Sequence, residues 1–415
     1  MIQSMYKKIF FQLLAGVQDG FLEVICPRET LGFGAPSSRL KAMLVIHNER
    51  FFARVLFGGD IGLGEAFMDG DWSSPDPQGL LRLAIRNMDR LEHGMHATGA
   101  LRSLFERIRH HLRGNTLAGS RRNISHHYDL GNDFYRLFLD SSMAYSCACF
   151  YSPQDTLEQA QLNKYKLICQ KLDLKPTDHL LEIGTGWGGF ALYAAEHYGC
   201  RITTTTISRQ QFDYAQQLFT QSGLASDRIN LKLEDYRQLR GEYDKIVSIE
   251  MFEAVGYKHY NEYFAACDRL LTPEGSMLLQ TITIQEAKFE RYRKQSDWVR
   301  RYIFPGGELA SVSGILRALA RTSRMQLFHM EDIGMHYALT LKEWRRRFLD
   351  NLDRVQRLGF DRRFLRMWDY YLACCEAAFR ERQTGTVQLL LTKVQNLNPL
   401  MNEPVLEPAG NEYPR

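Results

Sequence analysis

The chain has 415 residues, 45% of them hydrophobic and 24% charged, with a formal net charge of +4. This exceeds a single ordinary core, which rarely grows past ~250 residues, so two domains are expected, and the composition excludes a disordered or fibrous chain. The small charge excess does not argue for nucleic acid, and no run approaches the ~20 consecutive apolar residues of a bilayer span.

In chain order, "MIQSMYKKIFFQLLAGVQDG" places lysines before a short apolar run, as a signal peptide would. It then meets Gln18 and Asp19 without a small-residue cleavage pattern, so an amphipathic first helix is expected. "FLEVICP" and "KAMLVIHNERFFARVLFGG" are strand-like, with Asn48-Glu49 as a turn. "IGLGEAFMDGDW" mixes glycine with acids, and "DPQGLLRLAIRNMDRLEHGMH" repeats apolar residues at helical spacing. Residues 1–112 therefore read as a small α+β accessory domain associated with lipid or membrane, and 113–122, which holds "GNTLAGSRR", as a linker. The stretch Leu101 to His127 carries Arg102, Arg107, Arg109, Arg113, Arg121 and Arg122 against Glu106. It is either a solvated helix and linker or an attractor of anionic head groups at ~1 kcal/mol per charge.

Residues 123–396 alternate short apolar runs with helical ones. "HLLEIG", "CRITTTT", "INLKLE", "YDKIVSIE" and "GSMLLQTITI" are strand candidates, and "MQLFHMEDI" and "TGTVQLLLTKVQ" bring the expected number to seven. Such alternation is the pattern of a doubly wound, Rossmann-like α/β sheet with helices on both faces. Residues 397–415 are proline-rich and aperiodic, and are expected to form a flexible tail. Eight cysteines without CxxC spacing suggest a reducing, cytoplasmic compartment and no metal site.

In a doubly wound sheet the ligand lies beyond the carboxyl ends of the strands. Gly184, Gly186, Gly188 and Gly189 in "LEIGTGWGG" let backbone approach it, ahead of a helix N-terminus. The spacing is not the G-x-G-x-x-G of dinucleotide sites. Glu182 would repel a pyrophosphate but suits the ammonium of a methionyl group, which favours S-adenosylmethionine over a dinucleotide. Trp187 inside the turn is hard to explain as mere chain reversal. An acid in "EDYRQL", after the third strand, could read an adenine amino group.

The dispersed motifs "SHHYDLGNDFYRLFLD", "AYSCACFY", "LEIGTGWGGFA", "TISRQQ", "DYRQL", "MFEAVG", "RRYIFPGGEL" and "YALTLKEW" resemble the cyclopropane-fatty-acyl-phospholipid synthase family over about Ile124 to Val394. "GLGEAFMDGDW" is similar to that family's smaller accessory domain. The resemblance implies a seven-stranded class I methyltransferase domain that uses S-adenosylmethionine to build cyclopropanes on cis-unsaturated acyl chains of membrane phospholipids. It implies Tyr145 and Ser146 near the methionyl part, Gly184 and Gly186 in the turn, Gln211 on the ribose, and Asp235 with Tyr236 by the adenine. An isolated alkene offers no acidic proton, so a base must take one from the transferred carbon. The family holds a bicarbonate ion for this, and by position its cage here would be Cys147, Glu253, Gln280, the backbone of Ile282, and Tyr337. Taken singly, each has an ordinary structural reading: a buried thiol, a surface acid, a packing aromatic.

The chain departs from the resemblance where the family commonly has His, at Gln280 and Ala254. Gln donates a hydrogen bond but carries no proton, so a methyl- or methylene-branched product stands as the alternative to a ring. A catalytically silent lipid-binding relative and a small-molecule or nucleic-acid methyltransferase are the remaining readings. "FERYRKQSDWVRRYIFPGG", with Arg291, Arg293, Lys294, Arg300 and Arg301 beside Trp298, Tyr302 and Phe304, suits a surface that settles on anionic lipid. The aromatics of "HHYDLGNDFYRLF" and "FFARVLF" suit either a cation-stabilising, lipid-lined pocket or core packing. The expected partner is a phospholipid bilayer surface with unsaturated acyl chains at the inner face of the membrane, with a homodimer as a possible assembly and no nucleic acid.

Overall fold

The computed structural model describes residues 2–88, 90–91, 130–224 and 228–397. The expected linker at 113–122, the arginine-rich stretch Leu101 to His127 and residues 398–415 of the expected tail lie outside them. The chain divides into two compact units. One draws on Met1–Arg113, Glu290–Pro305 and Leu341–Thr384, and the other on Gly114–Phe289, Gly306–Thr340 and Gly385–Arg415.

The first unit opens with a helix, Ile2–Leu14, followed by strands β1 (Phe21–Cys26), β2 (Glu29–Gly34) and β3 (Lys41–Ile46). With the short β4 (Trp72–Ser73) they form a sheet in the order β2-β1-β3-β4. Alternate residues of β1, Leu22, Val24 and Cys26, face the core, as period-two patterning requires. "RFFARVLFGGDIGLGEAFM" is not a second strand after a turn: Arg50–Met68 is a helix, kinked at Gly59. Gly62 and Gly64 allow close packing rather than chain reversal. A Cβ on Gly62 would lie 1.9 Å from the Arg54 carbonyl oxygen, and one on Gly64 would lie 2.4 Å from the Trp298 ring. Helix Pro77–Arg86 starts on Asp76, whose side chain accepts from the Gly79 N–H, with Pro77 in the first turn, where no backbone donor is needed.

The "FERYRKQSDWVRRYIFPGG" stretch folds inward, contrary to a lipid-facing role for the whole set. Trp298 is 2% exposed and packs on Tyr370 at 4.7 Å between ring centroids. Arg300 is 5% exposed and donates to the carbonyls of Tyr292 and Gln295. Tyr302 donates to Glu65 at 2.5 Å, and Arg301 pairs with the same carboxylate. Aromatic rings and an alkyl-stemmed guanidinium remove more apolar surface from water by packing than by standing out into it.

The second unit is a seven-stranded sheet in the order β10-β11-β9-β8-β5-β6-β7. Its strands are β5 (His179–Ile183), β6 (Arg201–Thr206), β7 (Ile229–Leu233), β8 (Tyr243–Ile249), β9 (Leu271–Ile284), β10 (Met325–Asp332) and β11 (Thr384–Lys393). All seven expected strands are present. The pairings among β5 to β9 are parallel, and β10 runs antiparallel to β11. Strand periodicity divides the core in two. Leu181, Ile183, Ile246 and Leu279 pack toward helices Tyr260–Leu270 and Val312–Thr322. Leu180, Ile202, Val247 and Leu278 pack toward helices Leu157–Lys171, Gly189–Tyr198 and Arg209–Ser222. The strand order reverses at β5, between β6 and β8, which is where a doubly wound sheet opens a crevice for ligand.

Candidate active site

A cavity occupies that crevice at the carboxyl ends of β5 to β8. Its walls include Tyr145, Ser146, Glu182, Gly184, Gly186, Trp187, Gln211, Asp235, Tyr236 and Glu250. All seven residues expected around the cofactor line this one space. The glycine turn needs its glycines: Gly184, Gly186 and Gly188 have φ of 102°, 54° and 91°. The N–H groups of Gly184 and Thr185 both donate to the Thr205 carbonyl at 3.0 Å, tying the turn to β6.

Polar groups in the wall are preorganised. Glu182, 2% exposed, accepts from Thr204 Oγ1 at 2.5 Å, and burial pushes its carboxyl up to about 8. A cation in the cavity would favour its charged form. Gln211 Oε1 accepts from Thr206 Oγ1 at 2.9 Å, which leaves the amide nitrogen as its donor end. Asp235 is clamped by Arg237, whose Nε and Nη2 donate at 2.8 and 2.7 Å. Ser146 Oγ accepts from the buried Lys164 at 2.7 Å. Burial drives the Lys164 ammonium pKa down, against the pull of Glu250 and Asp140. Trp187 Nε1 donates to Asn132, and its ring lies 5.0 Å from Tyr135, which packs on Tyr145. This aromatic wall is the part of "NDFYRLF" that reaches the site.

Of the residues expected to cage an anion, Cys147, Gln280 and Tyr337 converge, but on a residue absent from the sequence expectation. Glu250 Oε1 accepts from the Cys147 backbone N–H at 2.9 Å and from Gln280 Nε2 at 2.8 Å. Its Oε2 accepts from the Tyr337 hydroxyl at 2.8 Å. Burial pushes the Glu250 carboxyl up, and these three donors oppose the shift. Glu253 stands beside this group rather than at its centre. Its Oε1 accepts from Ile282 N–H at 2.5 Å and Thr281 Oγ1 at 3.0 Å, while Oε2 is buried without a partner among the described residues. Burial and the Glu250 charge push it up to about 8. Cys147 contributes through its backbone. Its buried thiol is pushed well up by desolvation, which suits a packing role.

Sequence reasoning also missed the support behind Gln280. Gln280 Oε1 accepts from Gln388 Nε2 at 2.9 Å, and Gln388 Oε1 accepts from Lys171 Nζ at 2.7 Å. Lys171 also pairs with Glu331. This chain fixes which end of the Gln280 amide faces Glu250. The polar residue at β11, in "VQLLLTK", sits in a run read only as a buried strand. An amide at a fully buried position was the available signal.

Residues 116–389 match the family described as mycolic acid cyclopropane synthetase. The chain is 39% identical over 364 residues to the cyclopropane-fatty-acyl-phospholipid synthase of Escherichia coli K12, covering 84% of this chain and 87% of that one. It is 35% identical over 368 residues to a tuberculostearic acid methyltransferase of Mycobacterium tuberculosis, covering 87% and 85%. Among solved structures, a mycolic acid cyclopropane synthase complexed with SAH and CTAB superposes with a TM-score of 0.61 at 32% identity. It covers 66% of this chain and 98% of that one.

Proposed function

The chain belongs to the mycolic acid cyclopropane synthetase family, and from that membership we propose that it is an S-adenosylmethionine-dependent enzyme that adds a one-carbon bridge to cis double bonds of phospholipid acyl chains. The observation that carries this reading is that the cofactor-type wall (Glu182, Gln211, Asp235) and the Glu250 carboxylate face one cavity. S-adenosylmethionine supplies an electrophilic methyl group. The residues that fit it are Glu182 for the ammonium, the Gly184 to Gly188 turn for the backbone, Gln211 for the ribose and Asp235 with Tyr236 for the adenine. Tyr145 and Trp187 line the cavity, and aromatic rings there suit positive charge developing on the alkene carbon. A base then takes a proton from the added carbon, and the C–H electron pair closes the ring. Bicarbonate does not fit that role, since of the donors expected to hold it the Cys147 N–H, the Gln280 amide and the Tyr337 hydroxyl are spent on Glu250 and the Ile282 N–H on Glu253. Because the proposed substrate is an acyl chain of a membrane lipid, we propose that the enzyme works at the inner face of a phospholipid bilayer; among the described residues no helix is long and apolar enough to cross a membrane.

The test is to incubate the purified protein with vesicles of monounsaturated phospholipid and methyl-labelled cofactor. Label appears in the lipid, with ring-proton signals in its NMR spectrum. Unlabelled lipid refutes the reading. Olefinic or branch-methyl signals in place of ring signals would select the branched-chain product, the reading that Gln280 in place of His keeps alive.

A further inference from the structure

We propose that the Glu250 carboxylate is itself the base of this reaction, a built-in anion occupying the place where an exogenous one would otherwise be held. The inference rests on the ring-forming reading above. Its geometric basis is convergence: a backbone N–H from Cys147, an amide from β9 and a hydroxyl from Tyr337 all donate to this one side chain, at 2.8–2.9 Å. Oε1 takes two of these bonds and Oε2 one, so Oε2 keeps a lone pair. Glu250 lines the cofactor cavity, whereas Glu253 is not among its walls.

The backbone supplies a second, independent observation. Glu250 has φ of +50°, in the left-handed region that side chains other than glycine occupy at a cost. Its N–H donates to the Gln280 carbonyl at 2.8 Å, which holds β8 and β9 together through this strained position. A glutamate held in a conformation that glycine adopts freely indicates that its side chain is needed there. In the step itself, the alkene pair forms a bond to the methyl carbon as the sulfur–carbon bond breaks, leaving a cation on the adjacent carbon. Glu250 Oε2 takes a proton from the added carbon, the released pair forms the second ring bond, and the protonated acid returns its proton to water as product leaves. No anion from solution is consumed. An added bicarbonate would bring a further negative charge against the Glu250 carboxylate.

The test compares wild type, Glu250→Gln and Glu250→Gly in buffer stripped of carbon dioxide, with and without added bicarbonate. Wild type is expected to turn over equally in both. Glu250→Gln should lose about 10²–10⁴-fold in kcat, the usual scale of a general base. Both variants should keep the wild-type melting profile and cofactor affinity to within a few-fold, which separates lost chemistry from lost fold. Glu250→Gly, which vacates the place, should regain turnover with added bicarbonate, and carbon-13 bicarbonate should give a protein-bound NMR signal in that variant only. Wild-type activity that collapses without bicarbonate, a bound bicarbonate signal in wild type, or an unimpaired Glu250→Gln would each overturn the proposal. Absence of lipid labelling by wild type in both buffers would instead overturn the underlying reading and this inference with it. The bicarbonate signal then reports separately on whether Glu250 fills the anion's place.

Discussion

Replacing Gln388 by Met removes a polar link two residues away from the carboxylate without touching the cavity. Gln388 is fully buried and joins Lys171 to Gln280 through bonds of 2.7 and 2.9 Å. The substitution keeps the volume but leaves the Gln280 carbonyl unsatisfied, at ~1–3 kcal/mol, and deprives the Lys171 ammonium of one of its two acceptors. A stability loss of about 2–4 kcal/mol is expected. Released from Gln388, the Gln280 amide no longer has a fixed end, and the charge-assisted bond to Glu250 Oε1 weakens. A hydrogen bond to the charged form holds the carboxyl down, so weakening it lets burial raise the Glu250 pKa further. A base works when deprotonated, so activity rises with pH through that value, and the acidic limb of the kcat profile should move to higher pH. Lys164 and Glu253, the charged groups beside it, are unchanged by the substitution. The assay is the kcat–pH profile on monounsaturated vesicles with a thermal melt in parallel. A less stable Gln388→Met protein whose acidic limb stays put would refute the positioning role.

The other predictions concern the cofactor wall. Burial raises the Glu182 carboxyl from 4.5 to about 8, so the folded state keeps a proton that the unfolded chain has already lost across that interval. Stability is therefore highest below the unfolded value and falls as pH rises toward the folded one, by no more than ~1.4 kcal/mol per pH unit. Melts of the free protein between about pH 5 and about pH 8 should show this decline, and Glu182→Gln should make it shallower, with the raised Glu253 carboxyl contributing in both proteins. Equal slopes for the two proteins would count against the buried state of Glu182. For Gly189→Ala, a Cβ would stand 2.7 Å from the Ser142 carbonyl oxygen and 2.9 Å from the Tyr165 hydroxyl. The expected outcome is a loss of ~1–3 kcal/mol in stability and weaker cofactor binding by calorimetry, because the helix N-terminus must shift. Wild-type values in both would show that the turn gives way cheaply.

The alternation of strands and helices, the seven strands and the glycine turn were legible because they rest on local rules: side-chain periods of two and 3.6, and positive φ. The residues expected around the cofactor line one cavity because a doubly wound sheet gathers its strand ends on one edge. "RFFARVLFGG" misled because "FFARVLF" carries aromatic and β-branched residues in a helix packed by its apolar face and by glycines too tight for any Cβ. Trp298 and Arg300 look like membrane anchors in one dimension. The burial of Trp298 depends on Gly64 and Tyr370, far away in sequence.

The cage shows the division most clearly. Cys147, Gln280 and Tyr337 were legible by resemblance, and the charge they surround was not. Glu250 and Glu253 both lie at the end of β8, three residues apart, and nothing local decides which carboxylate turns toward the donors. That choice belongs to the tertiary structure. It is made by a left-handed φ at Glu250, by the Ile282 N–H and Thr281 hydroxyl that hold Glu253 aside, and by Gln388 orienting the Gln280 amide from the neighbouring strand. Hydrogen-bond direction between residues more than a hundred positions apart is set only when the sheet has formed.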